Sequence, residues 1–116
     1  MRILVFLFVA LGLLTANAQE NPSAQTVKVI KSRGAMQCEP DTGTPPEVMR
    51  KELEQAGIAV ESVACGTDGK IRAAMCGTPE GVLNIFEIPA AKLAHAARLK
   101  FEKLGTLPDA REVPCP

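Results

Sequence analysis

The chain has 116 residues, with 13 basic and 13 acidic side chains and a formal net charge of zero. That balance offers no basic field to hold nucleic acid or anionic lipid. There is no Trp or Tyr, and of the four Phe two, Phe6 and Phe8, lie in the opening apolar stretch, so base- or sugar-stacking platforms and aromatic interface anchors are poorly supported.

The opening stretch, MRILVFLFVALGLLTANAQE, places Arg2 before an apolar run from Ile3 to Leu14, then the small residues Ala16-Asn17-Ala18. This order predicts a secretory signal peptide over residues 1–18, cut before Gln19. The apolar run is well short of the ~20 residues a membrane-spanning helix needs. The mature protein is therefore expected in the periplasm or outside the cell, with no stable membrane anchor after cleavage. Residues 19–25, QENPSAQ, are a polar, flexible lead-in, and 26–116 are expected to form one α+β domain.

Within that domain, TVKVIKS (26–32) is rich in β-branched residues and predicts a strand. A loop with Gly34, Pro40 and Gly43 follows. Thr44, Pro45 and Glu47 then make the capping box of a helix, whose apolar stripe is Met49, Leu53 and Ala56 and whose end is Gly57. Its wet face offers Glu47 with Lys51 and Arg50 with Glu54 as i, i+4 pairs.

IAVESVA (58–64) and VLNIFEI (82–88) predict two more strands. AAKLAHAARL, opened by Pro89, predicts a second helix that buries Ala90, Leu93, Ala94 and Ala97 and exposes His95. KFEKL (100–104) suits a short edge strand, and GTLPDAREVPCP is a proline-punctuated tail. The order strand, helix, strand, strand, helix, strand matches the split β-α-β pattern of ferredoxin-like two-layer sandwiches.

The four cysteines, Cys38, Cys65, Cys76 and Cys115, all lie in the exported part, and an even count in a small exported chain predicts two disulfides. The spacing favours Cys65 with Cys76, as the staple between two antiparallel neighbours, and Cys38 with Cys115; the other two pairings stay open. The cysteines lack the close pairing of a zinc site, and none stands in a Cys-x-x-Cys loop at a helix N-terminus. No nucleophile elbow, phosphate loop or His-Glu-x-x-His is present, so no catalytic residue and no cofactor is expected.

The loop between Cys65 and Cys76 carries Asp68, Lys70 and Arg72 on a turn-prone segment. It is the expected binding loop for a protein or small-molecule partner. A sharper alternative is inhibition of a secreted trypsin-like protease, with Lys70 or Arg72 as a rigid pseudo-substrate. AMQCEP and AMCGTP also look faintly alike.

The stretches SRGAMQCE, CGTDG, AMCG, NIFEIP and PDAREVPC resemble small secreted bacterial proteins of unassigned function. That resemblance implies export and a four-cysteine frame and brings no activity with it. Locally, GAMQCEPD (34–41) resembles the Gly-Met-x-Cys-x-x-Cys loop of ferredoxin-like heavy-metal-associated domains. Met36 and Cys38 match in order, Gly34 is displaced by one residue, and Asp41 stands where the second Cys belongs. This likeness implies the alternative of a soft-metal or thiol-redox protein centred on Cys38, with Met36 and Asp41 beside it.

Overall fold

The computed structural model describes Gly12 and residues 25–116, so the predicted signal peptide apart from Gly12, and the lead-in apart from Gln25, lie outside the described residues. Strand β1 (Thr26–Ser32) leads through a long loop to helix α1 (Pro46–Gln55), strand β2 (Ser62–Thr67) and strand β3 (Val82–Pro89). A 3₁₀ turn (Ala90–Lys92) runs into helix α2 (Leu93–Arg98), followed by strand β4 (Glu102–Lys103), a second 3₁₀ turn (Leu104–Thr106) and strand β5 (Arg111–Val113). The strands form one sheet in the order β4-β1-β3-β2-β5, with every neighbouring pair antiparallel.

Alternation along the strands sends successive side chains to opposite faces, and both faces are covered at the centre. Val29, Phe86 and Ile88 meet Met49 and Leu53 of α1 and Ala96 of α2, with Ile58 and Phe101 closing the ends. Phe86 and Phe101 meet edge to face, their centroids 5.9 Å apart. On the other face, Ile30, Leu83 and Ile85 pack under Leu104, Leu107 and Ala110. Those three residues belong to the strap that crosses from β4 at one edge to β5 at the other. Coverage on both sides is why the central strand β3 buries four residues in succession, Leu83 to Phe86.

The expected stripe of α1 is in place, with Met49 and Leu53 buried and Ala56 packed against them. The Arg50–Glu54 pair forms at 2.7 Å. The capping box does not: the helix begins at Pro46, Pro45 is the N-cap, and no side chain caps it. Thr44 is held by the loop instead, its N–H donating to the Arg33 carbonyl at 2.7 Å and its own carbonyl accepting from Asn84 Nδ2 at 2.9 Å.

At the other end Gly57, at φ +80°, donates to Glu54 O, and Ile58 donates to Leu53 O. These are the two bonds of a Schellman cap, with Ile58 as its buried hydrophobic contact. Because Ile58 is taken up in the cap, β2 starts at Ser62 rather than at residue 58.

The second helix departs further from expectation. Its 3₁₀ entry advances about 120° per residue instead of about 100°, which rotates the stripe. Ala96 is buried, Leu93 is half-buried, and Ala94 and Ala97 are exposed; His95, expected on the wet side, is half-buried.

The disulfides are Cys38–Cys76 and Cys65–Cys115, each with Cα atoms 5.1 Å apart, so the favoured pairing is corrected. Cys65 lies inside β2, not at its end, and its register partners are Asn84 on β3 and Val113 on β5. Cys115, two residues beyond Val113, shares that face. The tail read as irregular is the fifth strand, and it brings Cys115 to Cys65. Cys76 meanwhile travels with its loop to the β1–α1 connection, where Met36 bridges Pro79. Closing loops of these separations, 38 and 50 residues, contributes about 4 kcal/mol each in the chain-entropy model.

Candidate functional site, a braced loop

Residues 68–81 connect β2 to β3, and the stretch 68–75 is neither helix nor strand. The loop is anchored at its root by Asp68, 8% exposed. Its N–H donates to the Gly81 carbonyl at 3.0 Å, and its Oδ1 accepts the Lys70 N–H at 3.0 Å. The Arg72 guanidinium donates to both carboxylate oxygens, at 2.7 and 2.6 Å. This fork-to-fork geometry fixes orientation as well as charge.

The Arg72 hydrogen bonds hold the Asp68 carboxyl well below the usual carboxylate range, at about 2, against the opposing effect of burial. The same bonds push Arg72 up. Gly81 is required here twice over: its φ is +83°, and a Cβ would run into the Arg72 guanidinium and Asp68 Oδ1.

The far end of the loop is held by Gln37 of the β1–α1 connection. Its backbone N–H donates to Thr78 O at 2.9 Å and its carbonyl accepts from Gly77 N–H at 3.0 Å. Its side-chain amide donates to Ala73 O and Thr78 Oγ1 and accepts from Met75 N–H, all within 3.1 to 3.2 Å. The Cys38–Cys76 bond lies next to this ladder. AMQCEP and AMCGTP, the two faintly similar segments, are the ones that dock on each other. That likeness was the available signal for Gln37 and Thr78, which sequence reasoning passed over.

Between the two anchors the chain stands out from the surface. Ile71 is 102% exposed and Met75 59%, and Lys70, Ala73 and Ala74 are exposed. Among the described residues, the N–H groups of residues 71–74 make no hydrogen bond. A shallow, largely apolar hollow of about 280 Å³ lies alongside, lined by Ala73, Met75, Thr78 and Pro79 with Arg72.

The three residues expected to form the binding loop therefore divide. Asp68 and Arg72 come together as the internal brace, Lys70 projects, and the tip belongs to Ile71, a residue sequence reasoning did not select.

The soft-metal reading of Met36, Cys38 and Asp41 meets a different chemistry. The Cys38 sulfur is bonded to Cys76, so no thiolate is free to ligate a metal or attack a disulfide in this oxidised form. The Met36 N–H donates to Thr42 Oγ1 and its carbonyl accepts from Glu39 N–H, closing a turn that holds Cys38 at φ +66°. Among the described residues, no group of three or more His, Cys, Asp or Glu is arranged to hold a metal ion, and no helix is long and apolar enough to cross a membrane.

No family model matches the chain, and neither the curated proteins nor the solved structures contain a match.

Proposed function

We propose that the mature protein is an exported, non-enzymatic binding module of ferredoxin-like topology that engages a protein partner through residues 69–75. The topology reading is supported by the strand order: β1-α1-β2 and β3-α2-β4 each leave room for one antiparallel strand between their two, and β5 adds a fifth at the edge. Export to the periplasm or beyond is supported by the leader pattern of residues 1–18 and by the pairing of all four cysteines.

The observation that carries the binding reading is a fully exposed Ile71 on a segment braced at both ends. Such a segment loses little conformational freedom when it is captured. Burial of this aliphatic side chain against a partner adds the free energy of removing apolar surface from water. The experiment is affinity capture from a cell-envelope extract with wild type and Ile71→Asp. A partner retained by the wild type and lost with Ile71→Asp, at unchanged melting temperature, is the expected result. A partner retained equally by both removes the loop from the interface.

A second reading, inhibition of a trypsin-like protease, is favoured by the unpaired N–H groups of residues 71–74 beside an exposed Lys70. Main-chain groups in this state can pair with an extended strand of an enzyme's cleft. Arg72 is spent on Asp68, so Lys70 is the residue that would enter a specificity pocket. Micromolar inhibition that Lys70→Ala abolishes supports this reading, and cleavage without inhibition rejects it.

A further inference from the structure

The two helices end in the same hydrogen-bond pattern but with different residues at the left-handed position. At α1 that residue is Gly57, φ +80°; at α2 it is Lys100, φ +72°. Lys100 N–H donates to Ala97 O and Phe101 N–H to Ala96 O, both at 3.1 Å, as Gly57 and Ile58 do in α1. A side chain in this conformation is strained, and glycine is the residue that removes the strain. The fold therefore keeps a lysine where its own other helix uses glycine. Strain retained in this way points to a task for the side chain.

Lys100 lines a cleft of about 380 Å³ between the sheet, the braced loop and the strap, and Lys70 lines it from the loop side. Among the described residues neither ammonium has an ion-pair partner. Arg72 also reaches the cleft, but Asp68 neutralises it. Lys31 also lines the cleft, but its Nζ is taken up by Glu52 and the Leu99 carbonyl. Ser32 Oγ accepts from Gly34 N–H and so keeps its own proton to donate. The one unneutralised acid at the rim is Glu102, one of whose oxygens shares the Thr106 hydroxyl proton with the Lys103 carbonyl. The other oxygen is an acceptor for a hydroxyl.

We propose that this cleft is a binding site for a small hydroxylated oxyanion, whose carboxylate or phosphate group is taken by Lys70, Lys100 and Ser32 and whose hydroxyl meets Glu102. Two lysines that line one cleft from separate segments supply charge-assisted bonds to such an anion. The single acid at the rim sets a preference for a ligand that can also donate.

The test is amide NMR titration of the oxidised mature protein with malate and, separately, with inorganic phosphate, at constant ionic strength against a chloride control. Saturable shifts confined to Lys70, Gly81 and Lys100 are expected. Shifts with malate alone identify a hydroxycarboxylate site, and shifts with phosphate alone identify a phosphate site. Lys100→Gly should weaken binding about tenfold while raising Tm by roughly 3–6 °C, because it relieves the left-handed strain. Lys70→Gln should weaken binding with Tm unchanged. Non-saturating shifts with both anions, or a Lys100→Gly variant that binds undiminished or gains no Tm, overturns the proposal.

Discussion

The core under the helices and the loop at residues 68–81 are held together by different interactions. Beneath α1 and α2, Val29, Leu53, Phe86 and Ile88 are fully buried and apolar, and contacts among them need no particular partner atom. In the loop Asp68 alone is buried, and the conformation rests on one forked ion pair, the Gln37 hydrogen bonds and one disulfide. Apolar burial is non-directional and shared over many neighbours. The loop's bonds are few and directional, so each holds one stretch of chain. The residues that shape the loop, Asp68, Gln37, Arg72 and Cys76, are consequently distinct from those it presents, Lys70 and Ile71. Presented residues can change without disturbing the frame.

The largest break in this comparison is expected from Phe86→Ala. Phe86 is fully buried at the junction of sheet and helices, and its truncation should cost about 3–5 kcal/mol, a large part of a small domain's ~5–15 kcal/mol. Urea unfolding of the oxidised protein followed by far-UV circular dichroism measures it. A loss under about 1 kcal/mol would show that the site collapses around the change and that the core is looser than its burial implies.

Next in size is Cys38→Ser with Cys76→Ser. The global cost is up to about 4 kcal/mol, and its local signature is faster exchange of the amides at residues 75–78, ahead of those of β1 and β3. If loop and sheet amides instead accelerate by the same factor, the two regions unfold as a single unit and the contrast between them is lost.

The same division explains which parts were legible in the sequence. Strand β1, the Met49–Leu53 stripe, the Gly57 stop, β3 and the short β4 are local patterns of alternation, periodicity and punctuation, and they lie where those patterns put them. β5 is three residues, Arg111–Val113, between prolines at 108 and 114, too short to carry a period of its own. It exists because β2 offers a free edge, and without it Cys65 has no visible partner but Cys76. The braced loop was found as a turn-prone charged segment. The roles within it were not, since the pairing of Asp68 with Arg72 and the reach of Gln37 across 36 to 41 positions are three-dimensional facts. Even the capping box was overruled by a distant residue, Asn84, whose amide holds the Thr44 carbonyl.

The smallest expected effect, and the sharpest test of the loop's frame, is its response to acid. The folded-state pKa of Asp68, about 2, lies below its ordinary value of 3.8. Stability from the Asp68–Arg72 pair is therefore fully present above about pH 4 and disappears as pH falls through 2. The brace should persist in a mildly acidic compartment and release only in strong acid.

Glu87, which accepts from the Thr26 and Ser62 hydroxyls, is also held below its usual value. A global melting curve against pH would mix the two groups, and the measurement has to be the side-chain carboxyl ¹³C shift of Asp68 itself. A midpoint near 2 in the wild type, rising toward the ordinary value in Arg72→Gln, is expected. An unshifted wild-type midpoint would mean that the guanidinium does not rest on the carboxylate in solution, leaving the loop held at the Gln37 end alone.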